Sequence, residues 1–394
     1  MSTDVAIVGT GVTKFGKRND VSYQELFAEA AHEAISGLEN ISPDTFEGLW
    51  VSAAMPELTV EQAHVGNLGA QILGISPKMV SRVEMACSSG SSAIRNAWGA
   101  IKSGMIDTAI IVGLEKMNNN PVQANRGLLY VPDVTYEGIH GITAYSGFAL
   151  AAQEHMEKYG TTREQLSSVA VKSHSNAAKN PKAQFHSMGE VSLEKAMSAR
   201  MVSDPLNLFD CSPLTDGAAA VVLTRGDKAK EFTDQPVWIK GAGQRVEPSI
   251  GVSNMDSITD WKAMRSAVND AFSMANISPS DIDVAETHDC FTIAEIIEYE
   301  MLGLAKKGEG GKFIEDGESS LSGSTPINTS GGLKAKGHPV GATGVAQIVE
   351  ISEQLRGQSG DRQVRDAKIG VTHNLSGFAT HHVVHVLSSE EELR

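Results

Sequence analysis

The chain has 394 residues, 41% of them hydrophobic and 21% charged, which is material for two or three domains with substantial cores and excludes disorder as the main state. No apolar run approaches the roughly 20 residues that a bilayer core requires. Acidic residues outnumber basic ones by 48 to 33, and the formal charge of −15 argues against a broad nucleic-acid footprint.

Three widely spaced cysteines, Cys87, Cys211 and Cys290, offer neither a disulfide framework nor a CxxC zinc site. Each is open to a plain role as a small buried hydrophobe. The opening Met1-Ser2-Thr3-Asp4-Val5 lacks the basic and then long apolar stretch of a signal peptide, so a cytoplasmic location with reduced thiols is expected.

The segment Val5 to Gly11 reads as a short buried strand running into a glycine turn, and it recurs 232 residues later as Val237 to Gly243. An amphipathic helix follows each copy. In the first, Tyr23, Leu26, Phe27, Ala30, Ala31, Ala34, Ile35 and Leu38 share one face, and Ser22 with Glu25 forms a capping box. In the second, Trp261, Met264, Val268, Phe272 and Ala275 share one face. Both helices end in Asn-Ile-Ser-Pro, at 40–43 and 276–279, and strands at Gly48–Val51 and Val284–Thr287 come next. Three matches in order predict a duplicated β-α-β unit with right-handed crossovers.

Cys87 stands three residues before Gly90 and a run of small residues, and His338 stands three before Gly341 and another. A thiol and an imidazole thus occupy equivalent places, each at the mouth of a helix, and pseudo-twofold symmetry would bring the two mouths together. The halves differ in their connections. The strands Thr108–Gly113 and Ala218–Leu223 are 104 residues apart, whereas Ala367–Thr372 and Thr380–Leu387 are 7 apart. The long insertion, with its own helix around Gly147–Lys158, is expected to be a lid carrying ligand contacts. The acidic tail Ser388–Arg394 is expected to fray.

Several signals lead nowhere. A GxGxxG turn starting at Gly9 needs glycine at position 14, where Lys14 stands. Lys306–Lys312 admits no GxxxxGK[ST] loop. His381, His382 and His385 cannot all share a strand face, and without a nearby carboxylate or Cys at ligand spacing they read as solvated or core-edge histidines.

Cys87 lies in Glu84-Met85-Ala86-Cys87-Ser88-Ser89-Gly90, a strand-to-helix turn. A helix N-terminus and a nearby imidazole lower a thiol pKa, so that segment suits a nucleophile or an inert buried Cys. His338 tips the balance toward a nucleophile, because it sits in Asn328–Gly344, a run with five glycines, with Pro339 fixing its backbone.

At this point the residues carry a resemblance. Gly337-His338-Pro339-Val340-Gly341-Ala342-Thr343-Gly344 resembles the GHPxGATG motif of thiolases, and Asp216-Gly217-Ala218-Ala219-Ala220 resembles their DGAAA segment. His288-Asp289-Cys290-Phe291 resembles the HDCF motif of archaeal and sterol-carrier-protein-type thiolases, where conventional members have NEAF. The resemblance implies an α/β fold with a duplicated β-α-β-α-β unit in five layers, α-β-α-β-α. The expected division is a first core at 1–118, an inserted loop or lid domain at 119–205, the rest of the first core at 206–232 and a second core at 233–394.

It also implies a mechanism. Two thioesters are joined through a covalent acyl-enzyme, which splits one hard step into two easier ones. Cys87 is the expected nucleophile and His338 the base that takes its proton. The C-terminal CxG cysteine of conventional thiolases is missing: the matching stretch is His373-Asn374-Leu375-Ser376-Gly377, with Asn374 near the Cys position. The resemblance assigns the second base to Cys290, the alternative being that Cys290 is merely packed. His288 and His338 are expected at the enolate oxygen, and the N–H groups of Cys87 and Gly377 at the tetrahedral oxyanion. Ser212, His140 and Asn374 are expected to touch substrate, and Cys211 to be structural.

The implied activity is that of an acetyl-CoA C-acetyltransferase, condensing two acetyl-CoA or running in reverse, with coenzyme A as part of the substrate and no metal or redox cofactor. Further implications are a homodimer or homotetramer, service to the mevalonate route to isoprenoids, and an assembly with a hydroxymethylglutaryl-CoA synthase and a small OB-fold zinc-ribbon scaffold protein. The alternatives are a degradative thiolase or retro-aldolase acting on bulkier acyl-CoA, and a non-catalytic acyl-CoA or lipid carrier.

Overall fold

The computed structural model describes residues 4–392. The start of the opening segment, residues 1–3, and the end of the acidic tail, residues 393 and 394, lie outside the described residues. Within them the tail is held: Ser389 donates its N–H to Lys368, and Lys368 pairs with Glu390.

The first half runs β1 (Val5–Val12), α1 (Tyr23–Ile35), β2 (Gly48–Ser52), α2 (Pro56–Thr59), α3 (Val65–Leu73), β3 (Met79–Val83), α4 (Ser89–Lys102) and β4 (Thr108–Lys116). The insertion adds α5 (Pro121–Leu128), α6 (Ala144–Tyr159), α7 (Arg163–Ala178), α8 (Leu193–Met197) and a small hairpin, β5 (Met201–Ser203) with β6 (Leu206–Asn207). β7 (Asp216–Arg225) then closes the half. The second half runs β8 (Val237–Val246), α9 (Lys262–Ala275), β9 (Val284–Glu286), α10 (Thr292–Met301), α11 (Gly310–Glu315), α12 (Thr343–Leu355), β10 (Ile369–Ser376) and β11 (His381–Ser388).

The repeat is real in space. The strand order is β3-β2-β4-β7-β1-β8-β11-β10-β9, so the two halves are mirrored in order about the β1–β8 joint. That joint is antiparallel and short, pairing Val5–Ile7 with Val237–Ile239. A lone parallel bridge from Ala285 to Ile327 stands where β3 lies beside β2 in the first half.

Side-chain alternation along the strands builds the layers. Val5 and Ile7 of β1, Ile111 of β4, and Val221 and Leu223 of β7 point into a core shared with Ala93, Ile94 and Ala97 of α4 and with Val345, Ile348 and Val349 of α12. Their sequence neighbours Ala6, Val8, Ile110, Val112, Ala220 and Val222 face the opposite way, toward α1 and α3. In the second half α9 and α10 cover the outer face. The layers are therefore α, β, α, β, α, with α4 and α12 in the middle. They arise from one hydrogen-bonded sheet.

The capping box of Ser22 and Glu25 is present. α1 stops at Ile35, so Leu38 and Asn40 lie beyond it, while α9 runs directly into Asn276 as its left-handed C-cap. The glycines expected in turns after Val8 and Ile239 instead lie inside β1 and β8. A Cβ on Gly9, Gly11, Gly241 or Gly243 would come within 2.4 Å of the carbonyl oxygen of Ala34, Ala30, Ala271 or Ala267 respectively. Glycine recurs there because α1 and α9 press on their strands.

Candidate active site

The mouths of α4 and α12 meet. A Cβ on Gly90 would lie 2.8 Å from the backbone nitrogen of Val345, and one on Gly344 would lie 2.3 Å from that of Ser91. No larger residue permits this approach. Glu115 on β4 braces it, accepting the N–H groups of Ala54, Met55 and Gly341 while buried. Burial pushes its carboxyl up to about 7.

Cys87 sits half-buried in a tight turn before α4. Ala86 takes the left-handed conformation, φ 46°, which costs an L-residue about 1 kcal/mol. Serine hydroxyls hold the turn: Ser89 receives the Met85 N–H and donates to Ala86, while Ser88 donates to Met85 and meets His381 Nδ1 at 2.6 Å. The expected lowering of the thiol pKa is not found. Burial pushes Cys87 up to about 12, opposed in part by its own N–H and that of Gly377. Desolvation outweighs the helix terminus here.

His338 is buried in the loop before α12. Its N–H donates to Thr215 Oγ1, and its Nδ1 lies 2.7 Å from Thr343 Oγ1. The Thr343 hydroxyl donates its one proton to the Pro339 carbonyl, so Nδ1–H donates to Thr343 and Nε2 keeps a lone pair. Burial lowers this imidazole to about 3. The resting pair is therefore a neutral thiol and a neutral base.

His288 follows β9. Asn374 Nδ2 donates to His288 Nδ1 at 2.7 Å, which places the ring proton on Nε2. That Nε2 is buried and has no partner among the described residues. Burial lowers the His288 pKa, reinforced by His338, His373 and His382. The two rings meet edge to face, centroids 5.0 Å apart. Cys87 Sγ and one ring nitrogen each of His288 and His338 lie within 4.8 Å of one another.

These three groups line a cavity of about 210 Å³ with Cys290, Ser212, Gly377, Met117, Tyr145 and Phe148. Burial raises the Cys290 thiol pKa, and Cys87 adds to the effect. A second hollow of about 520 Å³, lined by Met55, Leu58, Met85, Tyr130 and Ile250, opens on the same sulfur. Both walls include Cys87, Leu128, Val340 and Gly377.

Two expected substrate contacts lie elsewhere. His140 is exposed on the turn Gly138–His140 and lines neither space. Asn374 is fully buried behind His288 and lines neither. Nor are His381, His382 and His385 solvated: all three are buried. Cys211 is buried too, its thiol donating to the Asn207 carbonyl. Thr343 and the orienting role of Asn374 went unread in the sequence, although Thr343 lies inside the glycine-rich run.

The geometry agrees with comparison to known proteins. Residues 5–227 match the thiolase N-terminal domain family model and residues 245–389 the thiolase C-terminal domain-like model. An acetyl-CoA acetyltransferase of Methanothermobacter thermautotrophicus is 44% identical over 98% of this chain and 99% of its own. One from Methanocaldococcus jannaschii is 39% identical over 98% and 99%. Bovine sterol carrier protein 2 is 34% identical over 94% of this chain and 70% of its own. Among solved structures, the Ltp2–ChsH2(DUF35) aldolase superposes with a TM-score of 0.86 at 25% identity, covering 100% of this chain and 99% of that one. No helix among the described residues is long and apolar enough to cross a membrane. With both halves matched across nearly its whole length, the chain belongs to the thiolase family and is an enzyme of the acyltransferase class.

Proposed function

We propose that this enzyme is an acetyl-CoA C-acetyltransferase working through an acyl-cysteine at position 87. The observation that carries the reading is the meeting of Cys87 Sγ with the His338 and His288 rings within 4.8 Å on a cavity that also holds Cys290. His338 Nε2 takes the thiol proton as Cys87 attacks the thioester carbonyl. The tetrahedral oxyanion faces the N–H groups of Cys87 and Gly377, and the proton returns from His338 to the departing CoA sulfur. A second acetyl-CoA then loses an α-proton to the Cys290 thiolate, which burial makes a stronger base. The enolate oxygen is met by His288 Nε2–H, since His338 Nε2 has given its proton to CoA and keeps only a lone pair. The enolate carbon attacks the acyl-cysteine, giving acetoacetyl-CoA and a Cys87 thiolate that takes the proton from Cys290.

The archaeal relatives support the choice of acetyl-CoA. With them comes the reading that the product feeds hydroxymethylglutaryl-CoA formation and the mevalonate route in the cytoplasm. The aldolase neighbour named with a DUF35 subunit supports a small OB-fold partner beside a homodimer or homotetramer. That neighbour also favours a second reading, retro-aldol cleavage of a bulkier acyl-CoA, against which the Cys87–His338 pair stands. Incubation with acetyl-CoA followed by intact mass measurement separates them. Acyl transfer gives one acetyl increment on Cys87 and free CoA; binding with neither increment nor CoA release would overturn it in favour of the retro-aldol reading or a carrier.

A further inference from the structure

Behind the cavity lies a chain of buried groups that the acyl-transfer steps do not touch. Glu298 on α10, His373 on β10 and His382 on β11 are fully buried. Glu298 Oε1 lies 3.0 Å from His373 Nδ1, and His373 Nε2 lies 3.0 Å from His382 Nδ1. His382 Nε2 lies 2.8 Å from the Ala379 carbonyl oxygen. Glu298 Oε1 also accepts the His288 N–H at 3.2 Å. One end of the chain therefore holds the backbone of His288, and the other holds the 377–380 turn that presents the Gly377 N–H.

The carbonyl end fixes the direction of every bond. A carbonyl only accepts, so His382 Nε2 carries a proton. A neutral His382 then has a lone pair at Nδ1, and His373 must donate to it from Nε2. A neutral His373 in turn has a lone pair at Nδ1, and the group opposite must donate. That group is Glu298. Burial keeps both rings neutral, His373 at about 3. The Thr287 hydroxyl and the His288 N–H favour the ionised form of Glu298, but in so buried a place a neutral acid costs less than a carboxylate. The groups facing Glu298 are Glu295 on its own helix, Lys172 on α7, His373 on β10, and Thr287, His288 and Cys290 around the end of β9. Burial, the largest influence, pushes its carboxyl up to about 8.

We propose that Glu298 is held as a neutral carboxylic acid, so that a one-way chain of three hydrogen bonds locks the 377–380 turn and makes Glu298 a positioning residue for the Gly377 donor. The role of that donor rests on the acyl-transfer reading; the protonation of Glu298 does not. The turn needs an anchor, because Ala379 is left-handed with φ 59°. Ionised, Glu298 can only accept. His373 must then donate from Nδ1 and His382 from its own Nδ1, leaving the His382 Nε2 lone pair against the Ala379 carbonyl. Only protons move, and the anchor becomes a repulsion.

Glu298→Gln tests this, since an amide N–H donates to His373 Nδ1 yet cannot ionise, at the cost of the His288 N–H that Oε1 accepts and an amide nitrogen cannot. In the wild type, kcat for condensation is expected to fall above about pH 8 with little change in KM. Glu298→Ala loses the donor and is expected to lower kcat about tenfold at every pH with KM nearly constant. Glu298→Gln should restore part of that loss and abolish the alkaline fall. The infrared difference spectrum, wild type minus Glu298→Gln, should show a protonated carboxylic acid band at neutral pH. A Gln variant that keeps the alkaline fall, or a difference spectrum without the band, overturns the proposal. The band is read without turnover, so a protein that shows it but forms no acyl-enzyme refutes acyl transfer alone. If Glu298→Ala does not fold, the Gln variant and the band still decide.

Discussion

The two helix mouths are the same backbone device carrying different chemistry. At the mouth of α4 a left-handed Ala86 and a set of serine hydroxyls hold a thiol; at the mouth of α12 Thr215 and Thr343 hold an imidazole. The connections beyond them differ more. Between β4 and β7 the insertion supplies cavity walls such as Tyr145 and Phe148, whereas between β10 and β11 a four-residue turn supplies Gly377. The first half thus shapes the space and holds the nucleophile, while the second half contributes the proton-handling groups. Duplication gave two frames, and divergence divided the labour between them.

Removing the thiol breaks the comparison outright. Cys87→Ala should abolish the acetyl increment in a mass spectrum and lower turnover by about a thousandfold or more. Acid should act mainly through the second half, with buried His174 of the insertion adding to it. His32 and His64, in the first half's own elements, are exposed, while His338, His373 and His385 are buried in the second half with pKa values of about 3. Below about pH 6.5 the unfolded chain takes up protons that the folded rings refuse. The contribution of these rings is therefore full above that pH and is lost toward pH 3, by about 1.4 kcal/mol per unit for each ring. Glu115 and Glu298, raised to about 7 and about 8, act in the opposite direction. Urea midpoints at pH 7 and pH 5 for the wild type and for His385→Leu check this, and a pH dependence that the substitution leaves unchanged would refute it.

Gly90→Ala tests the contact between the mouths. Its new methyl meets only backbone, so a loss of about 3 kcal/mol is expected in chemical denaturation. Asn374→Ala frees the His288 ring to place its proton on either nitrogen. Condensation should slow about a hundredfold, as for loss of one oxyanion donor, while the acetyl increment on Cys87 survives; loss of both would return Asn374 to a plain structural role. The smallest effect is expected at Thr343→Val, about tenfold in the rate of acylation, with Thr343→Ser restoring it.

What could be read from the sequence was local or repeated. The capping box needs four residues, the duplicated strand-helix-strand needs only self-comparison, and the glycine run around His338 announces close backbone contact. The rest depends on pairs far apart in the chain. Asn374 meets His288 across 86 residues and Ser88 meets His381 across 293, and no periodicity records such partners. Glu298 lies on a helix whose ten residues are all buried, so nothing in its neighbourhood singled it out from its buried companions Glu295 and Glu300. The glycines of β1 and β8 were seen and misplaced, because a close helix and a tight turn call for the same residue.

The abutment of Gly90 and Gly344 has a consequence for how such an enzyme can change. The spacing between sulfur and imidazole is set by two main chains in contact, with no side chain able to yield between them. New substrate preferences must therefore be written in the inserted segment and along the 520 Å³ hollow, where walls can be recut, while the ruler that measures the reacting atoms stays as it is.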